Sequence, residues 1–575
     1  MDNRDYARVL SEIADLMQIK GANRFRIRAF ENAARAIETL ELPLESVIDD
    51  GDLTTIKGIG EGIAAQIYQI RDQGTCDQHR ELIDELDAGL LDLLKIQGLG
   101  PKRIKTIYQE LDITDLQALE QAAEAGRISA LSGFGAKTEE KILTEIARLK
   151  EGGGRVPLPR AKAVAQSLRR QLLGVNGVQS IEIAGSVRRG RETVGDLDLL
   201  VATDDPDPVH AALRELTEVA EVLASGQSKT SVRLHNGIQV DLRAVEPPIF
   251  GSALHYFTGS KEHHVALRTR AKRQGLKISE YGVFREGQSE PIASGTEEEL
   301  YAALGLAYIP PELRRGGDEI DLAAEDNLPQ LIDAGDVRGD LHMHTTETDG
   351  KASITEMAQA ARERGYQFVA ITDHSQAVTV ANGMNADRFA AQIEEIRRLD
   401  ADIDGIRIFA GIEVDILKEG DLDMDHQLLA QCDWVVASVH SHFNLSKQAM
   451  TDRLIKAVET GLISCLGHPT GRILGGRGGY EYDFDAVVDC AVEYGVALEL
   501  NGSTGRLDLN GELAARAHHR GARFVLGSDA HSTRGLEAIC FAVQQARRAA
   551  LPREAILNCL DADAFPAAVT RPAAH

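Results

Sequence analysis

The sequence predicts a multidomain chain with an all-helical N-terminal part, a mixed α/β middle part and a C-terminal βα barrel. Three observations lead to this fold class. A Gly-apolar-Gly motif recurs three times within the first 150 residues, each time ahead of a helical stretch. Acidic residues lie on two apolar strand-like runs between residues 196 and 245. From residue 339 onward, successive apolar runs end in His, Asp or Glu. A length of 575 residues suits three to five domains.

The composition excludes several classes of protein. No run of about 18 apolar residues is present, so we expect no membrane span. The first residues lack the basic and apolar regions of a secretory signal. The six cysteines form no C-x-x-C pair, which favours a reducing compartment and argues against cysteine-held zinc. We therefore expect a cytoplasmic protein.

Charge is distributed unevenly along the chain. A net charge of −26 is unusual for a nucleic-acid binder. Residues 261–277 nevertheless carry six Lys or Arg against one acid, and basic clusters also occur at 188–191 and 24–28. The last cluster is equally compatible with a solvated helix face. The pattern predicts modest, salt-sensitive affinity for nucleic acid.

The N-terminal part is predicted to be helical and to contact DNA through glycines. Residues 6–40 show the apolar spacing of two helices. The repeated motif resembles the helix-hairpin-helix, in which glycines let backbone N–H groups approach a phosphate. Two domains are expected, at 1–85 and 86–151. The third copy is also compatible with a purely structural role. The candidate DNA-binding glycines are Gly58, Gly60, Gly98, Gly100, Gly133 and Gly135.

Three acidic residues in the middle part form a candidate magnesium site. Asp196 and Asp198 point to one face of a strand because side chains alternate along it, and Asp241 lies on a second apolar strand that can pair alongside. Gly185 and Ser186 end another strand and offer donors to phosphates. Three carboxylates at one end of a sheet can hold two metal ions about 4 Å apart. This pattern indicates nucleotidyl transfer.

These motifs, followed by Tyr256-Phe257-Thr258-Gly259-Ser260, resemble family-X DNA polymerases, the family of DNA polymerase beta. The resemblance implies a nucleotidyltransferase-type palm with a mixed sheet at 155–245 and a small thumb at 246–315. It also implies that the three acids bind Mg²⁺ or Mn²⁺ and that Arg268 reaches the template minor groove. The residues that it implies for nucleotide binding are Gly185, Ser186, Arg189, Arg155, Tyr256, Phe257, Gly259 and His264.

Two positions depart from the family pattern. Gln66 occupies the place of the lysine that forms a Schiff base in beta-type members, and an amide cannot form an imine. Lyase activity by that route is therefore not expected. His264 stands where the family usually has an asparagine that contacts the incoming base. Nucleotide affinity or fidelity is expected to differ accordingly.

The C-terminal part carries a second set of metal-ligand residues. Five apolar runs end in ligands, in the order His374, Glu413, His440, His468 and Asp529, and a His-x-His begins the region. Ligands at successive strand ends are typical of a βα barrel with its site at the carboxyl face. Imidazole and carboxylate without thiolate suit zinc, manganese or iron. The sequence predicts a phosphoesterase centre there.

Residues 337–575 resemble the PHP domain, named for polymerases and histidinol phosphatase, and residues 316–336 are expected to link it to the thumb. The resemblance implies a distorted βα barrel that holds two or three Zn²⁺, Mn²⁺ or Fe ions. It also implies 3′–5′ exonuclease and 3′-end-trimming activity. The matching positions are His342, His344, Asp349, His374, Glu413, His440, His468, Asp529 and His531.

Together these features predict a monomeric bacterial repair polymerase. Its expected substrates are gapped or primer-template DNA and deoxynucleoside triphosphates, and its barrel is expected to process 3′ ends. One alternative is a DNA end-processing nuclease whose polymerase core is weak or vestigial, which His264 motivates. Another is a DNA-bridging scaffold, which the complete ligand sets oppose.

Overall fold

A computed structural model describes residues 3–38, 40, 44–49, 53–56, 58–87, 89–94, 96, 99–151 and 155–569. The chain divides into two compact units, Met1–Gly154 and Arg155–His575. The fold combines the helical, mixed-sheet and barrel architectures that the sequence predicts. Within the described residues, no helix is both long enough and apolar enough to cross a membrane.

The first unit is helical. Its core is built from apolar faces at helical spacing, such as Val9, Ile13 and Leu16 of the first helix, which are at most 1% exposed. The helices are α1 (Asn3–Lys20), α2 (Arg24–Glu38), α3 (Leu44–Asp49), α4 (Glu61–Gln73), α5 (Asp77–Leu86), α6 (Gly89–Leu93), α7 (Pro101–Leu111), α8 (Leu116–Glu124) and α9 (Ala136–Glu151).

Within the residues that the structure describes, the three repeated motifs share one backbone hydrogen bond. Ile59 donates its N–H to the Ile56 carbonyl at 3.0 Å, and Leu99 and Phe134 donate to the carbonyls three residues earlier at 3.0 and 3.1 Å. Each turn leads directly into α4, α7 or α9. The described part of each repeat therefore has the same hydrogen bond immediately before a helix.

The second unit begins with a five-stranded mixed sheet. Its strand order is β2-β4-β7-β6-β5, with β4 and β7 parallel at its centre, and β1 and β3 form a separate pair. Strand β5 was not predicted; it is a mostly exposed edge strand whose apolar residues do not alternate regularly with polar ones. The elements are β1 (Val156–Pro157), α10 (Leu158–Leu173), β2 (Val178–Ile183), α11 (Gly185–Arg188), β3 (Thr193–Val194), β4 (Asp196–Thr203), α12 (Asp207–Glu215), β5 (Val219–Ser225), β6 (Lys229–Leu234) and β7 (Gln239–Val245).

A smaller helical and three-stranded region follows, ordered β10-β9-β8. The segment 316–336, expected to be a linker, contains a helix whose Glu319 is 5% exposed and lies 2.7 Å from His263 Nδ1. It is therefore packed onto this region rather than being a plain connection. The elements are α13 (Phe250–Thr258), α14 (Lys261–Arg273), β8 (Leu276–Ser279), β9 (Gly282–Arg285), β10 (Pro291–Ala293), α15 (Glu297–Ala303) and α16 (Glu319–Ala324).

The C-terminal region is a seven-stranded parallel barrel with strands in sequence order, from β11 to β17. A parallel bridge between Met343 and Ala530, which follow the first and the last strand, nearly closes the barrel. The strands are β11 (Gly339–Asp340), β12 (Phe368–Ile371), β13 (Arg407–Asp415), β14 (Trp434–Ser438), β15 (Cys465–Leu466), β16 (Ala497–Asn501) and β17 (Phe524–Gly527). The helices are α17 (Ile354–Glu363), α18 (Ala386–Asp402), α19 (His426–Gln431), α20 (Lys447–Glu459), α21 (Phe484–Tyr494), α22 (Gly511–His519), α23 (Ile539–Arg548) and α24 (Phe565–Ala568).

Candidate metal centres

The first candidate centre lies where β4 and β7 pair in parallel. Asp198 and Asp241 are direct partners across the two strands, and Asp196 lies two residues earlier on the same face. One carboxylate oxygen from each of the three lies within 4.8 Å of the other two. The structure therefore brings the three predicted acids together in a geometry that suits divalent cations.

The electrostatics of this centre favour added positive charge. Burial, reinforced by Asp196 and Asp241, raises the pKa of Asp198 to about 7. Burial alone would raise the pKa of Asp241, but hydrogen bonds from Lys229, Ser231 and Gln239 lower it. Crowded carboxylates of this kind repel one another until a cation or a proton enters. The donor set therefore fits divalent metal ions.

A polar cavity of about 260 Å³ adjoins the acids. Gly185 has φ +59°, and a Cβ there would lie 2.0 Å from Asp198 Oδ2, so this position requires glycine. The cavity is lined by most of the predicted nucleotide-binding residues, namely Arg155, Gly185, Ser186, Arg189, Phe257 and Gly259. Arg191 and Lys261 also line it; the sequence placed both in basic clusters but did not predict that they bind the nucleotide. The four cationic side chains of this lining suit a triphosphate.

The other predicted nucleotide-binding residues lie elsewhere. His264 stacks on Tyr256 with ring centroids 5.4 Å apart, and both line a separate small cavity with Arg268. Burial lowers the pKa of His264 to about 4, and its neutral ring donates from Nε2 to the His255 carbonyl at 3.2 Å. Arg188, a neighbour of Arg189, is bound to Glu297 at 2.6 Å, so it holds the fold rather than facing the cavity.

The predicted DNA-binding glycines lie at helix N-termini. Gly60 and Gly100 are the N-cap residues of α4 and α7. A Cβ at Gly60, Gly100, Gly133 or Gly135 would meet nothing within 4 Å, so their backbone is approachable. Gly58 has φ +104°. Gly98 lies outside the residues that the structure describes.

The second candidate centre lies at the carboxyl ends of the barrel strands. Eight of the nine predicted ligands form three groups, and within each group one ligand atom per residue lies within 4.8 Å of the others. His468 joins them because its Nε2 is 3.0 Å from Glu413 Oε1. The groups are His344, Asp349, His374 and His531; His342, His344 and Asp529; and His374, Glu413 and His440.

Glu413 is at the middle of this second centre. Its carboxylate is 1% exposed and lies 2.8 Å from His374 Nδ1 and 3.5 Å from His342 Nε2. Within the described part of the chain, His342 Nε2 and both ring nitrogens of His344 are buried without a hydrogen-bond partner. Buried imidazole nitrogens without partners are costly unless they bind a metal, so this set also fits divalent ions.

Supporting carboxylates, which sequence reasoning missed, orient the ligands. Glu499 Oε1 lies 2.7 Å from His342 Nδ1, and Asp415 Oδ1 lies 3.2 Å from His440 Nδ1. Carboxylates in this position fix the ring orientation of metal-binding histidines. Asp373, directly before His374, instead accepts hydrogen bonds from Thr345 and Gln392 and so holds the loop after His344.

Arg506 is a further residue of this centre that the sequence did not reveal. Its Nε lies 3.7 Å from Asp529 Oδ2, and its side chain is 19% exposed. Its Nη1 is buried and has no hydrogen-bond partner among the described residues. A guanidinium with a free donor beside a metal-ligand set suits a phosphate oxygen. No motif marks it, since it follows β16 by five residues in an irregular loop.

Comparisons with known families and proteins agree with this geometry. A family model described as DNA polymerase beta thumb matches residues 253–315, and one described as PHP domain matches residues 340–503. A helix-hairpin-helix domain matches residues 1–76, and a SAM-like helix-hairpin-helix tandem matches residues 90–148. A solved ternary complex of Leishmania infantum polymerase beta matches 40% of this chain and 98% of the polymerase beta chain, with 20% sequence identity and a TM-score of 0.27.

Relatives place the whole chain in one family. A probable phosphatase of Shewanella sp. (strain ANA-3) is 31% identical over 229 residues, 38% of this chain and 86% of that protein. The DNA polymerase/3′-5′ exonuclease PolX of Bacillus subtilis (strain 168) is 40% identical over 570 residues, 98% of this chain and 99% of that protein. The chain therefore belongs to the PolX family, the family-X DNA polymerases that carry a C-terminal PHP domain.

Proposed function

We infer that this protein is a DNA polymerase that fills short gaps during repair and also trims 3′ ends as a 3′–5′ exonuclease. The observation that carries this is the presence of two complete ligand sets on separate sheets of one chain. The name of the Bacillus subtilis relative combines the same two activities. Because the three acids converge beside a cationic cavity, a working polymerase core is favoured over a vestigial one.

In the polymerising centre, the chain's own residues bind and orient the nucleotide. Arg189, Arg155 and the first residues of α11, Gly185 and Ser186, hold the triphosphate in the cationic cavity. Phe257 and Gly259 face the sugar from the cavity wall, and His264 supports Tyr256, which precedes Phe257 in the same helix, by stacking. Arg268 contacts the template strand, while Asp196, Asp198 and Asp241 hold Mg²⁺ or Mn²⁺.

In the cleaving centre, the nine barrel ligands hold two or three Zn²⁺, Mn²⁺ or Fe ions. At both centres the ions supply positive charge that neutralises phosphate oxygens and makes the attacking oxygen more acidic. Arg506, whose side chain is partly exposed beside Asp529, orients the scissile phosphate through its guanidinium. Glu499 and Asp415 keep the ligand rings in place while the 3′ end enters and leaves.

DNA is held by the approachable glycine turns before α4 and α7, whose N–H groups meet strand phosphates. The third turn, before α9, shares their backbone hydrogen bond and supplies a further contact. Gln66 excludes lyase activity through an imine at that position. We assign residues 1–85 and 86–151 to DNA binding, 155–245 to the palm and 246–315 to the thumb. Residues 316–336 connect the thumb to the PHP domain at 337–575. We expect the protein to be a monomer.

The test is a primer assay on DNA with a one-nucleotide gap, with and without nucleotides. Asp198→Ala should abolish extension and leave 3′ trimming intact, whereas His344→Ala should abolish trimming and leave extension of clean ends intact. Loss of both activities in either folded, metal-loaded variant would contradict two separate centres. Absence of extension by the unchanged protein with either magnesium or manganese would support the nuclease alternative.

A further inference from the structure

Two barrel side chains form hydrogen bonds with the backbone of the palm segment that contains Arg189, a residue predicted to bind the triphosphate. Arg548 of α23 donates from Nη1 to the backbone carbonyl of Arg189 at 2.6 Å. Gln545, one turn earlier on the same helix, donates from Nε2 to the carbonyl of Gly190 at 3.1 Å. Both carbonyls lie directly after α11, the short helix that begins with Gly185 and Ser186.

These contacts are buried and tightly packed. Gln545 is fully buried and Arg548 is 8% exposed. Gln545 Oε1 accepts the N–H of Gly511 at 3.1 Å, so its amide bridges the palm segment and the start of α22. A Cβ on Gly190 would lie 2.7 Å from Gln544 Cγ, which leaves no room for the segment to shift toward α23.

A second pair of barrel residues holds the far end of the same segment. Glu192 accepts hydrogen bonds from Arg472 Nη1 at 3.0 Å and from Asn510 Nδ2 at 3.3 Å. Leu507, one residue after Arg506, is fully buried within the apolar core of the palm. Residues 189–192 are thus fixed at both ends by the barrel.

We propose that Gln545 and Arg548 are positioning residues of the polymerising centre, which hold residues 189–192 so that Arg189 meets the triphosphate. Neither side chain lines the nucleotide cavity, and both act through the backbone that they bind. The barrel is then a structural part of the nucleotide site in addition to its own chemistry. This inference rests on the proposed role of Arg189.

The experiment measures gap-filling kinetics and nucleotide binding for Gln545→Met and Arg548→Ala in the full chain. Each removes a donor to the segment, so KM for the nucleotide should rise on the order of tenfold, with a smaller change in kcat. Arg548→Lys, which keeps a donor, should restore part of the lost affinity. DNA affinity and 3′ trimming should stay unchanged, and Arg520→Ala, an exposed barrel arginine paired with Asp489, is the matched control.

An unchanged nucleotide KM in variants that retain trimming would overturn the inference. Equal losses for Arg548→Ala, Arg548→Lys and Arg520→Ala would also overturn it, since the effect would then not depend on the donor. If Gln545→Met fails to fold, it loses 3′ trimming together with gap filling. The nucleotide KM of Arg548→Ala and Arg548→Lys then tests the inference. Arg189→Ala separates the proposals: if it leaves KM unchanged, the role of Arg189 itself is wrong.

Discussion

Glu499→Gln changes the carboxylate that supports two metal ligands of the barrel without touching a metal ligand itself. Glu499 is 1% exposed. Its Oε1 lies 2.7 Å from His342 Nδ1, and its Oε2 accepts the backbone N–H of His468 at 2.6 Å. Glutamine keeps the size but removes the charge and one of the two acceptor oxygens. Loss of such a partner lowers metal affinity by about 10- to 100-fold, or about 1.4–2.8 kcal/mol.

The assay is 3′ trimming of a single-stranded end as a function of manganese concentration, together with the metal content of the dialysed protein. The manganese concentration for half-maximal trimming should rise by about 10- to 100-fold, with the rate recovered at saturation and gap filling unchanged. Glu394→Gln, on α18 with a 76% exposed side chain, is the matched control. An unchanged metal requirement, or a loss that no manganese concentration restores, would refute the reasoning.

Three further predictions follow from individual contacts. Gly185→Ala places a methyl group 2.0 Å from Asp198 Oδ2, so primer extension should fall at least about tenfold while 3′ trimming stays unchanged. Normal extension would contradict the requirement for glycine beside Asp198. Arg506→Ala should lower kcat/KM for trimming by about 10- to 100-fold at unchanged metal content, and equal activity would show that Arg506 does not contact the phosphate. Glu297→Ala removes the carboxylate that pairs with Arg188 and Arg314 and should lower the free energy of unfolding in denaturant by about 3–5 kcal/mol. Because the two arginines lower the pKa of Glu297 against the effect of its burial, the wild type should lose this stability as the pH falls below 4.5. A difference between the two proteins that does not depend on pH would contradict this prediction.

The sequence predicted which acidic and histidine residues converge because both sets follow strand geometry. Asp196 and Asp198 alternate onto one face of β4, and the barrel histidines follow strand ends, so local spacing alone indicated where they converge. Parallel pairing then placed Asp198 beside Asp241. All nine predicted barrel ligands lie together, although the strand expected before His468 is only Cys465–Leu466.

Residues that act through distant partners escaped prediction. Glu499 lies inside β16 rather than at its end, and its partner His342 is 157 residues away. The segment 316–336 was expected to be a linker because glycine and acidic residues dominate it. Glu319 in fact accepts the N–H groups of Gly316 and Gly317 and pairs with His263, a contact that no local pattern shows.

The most direct test of the account is anomalous diffraction from crystals of the protein soaked in manganese. The geometry predicts density between Asp196, Asp198 and Asp241, and two or three further peaks around Glu413 in the barrel. Manganese at only one of these places, or at neither while the side chains keep their positions, would contradict the claim that one chain holds two separate metal centres.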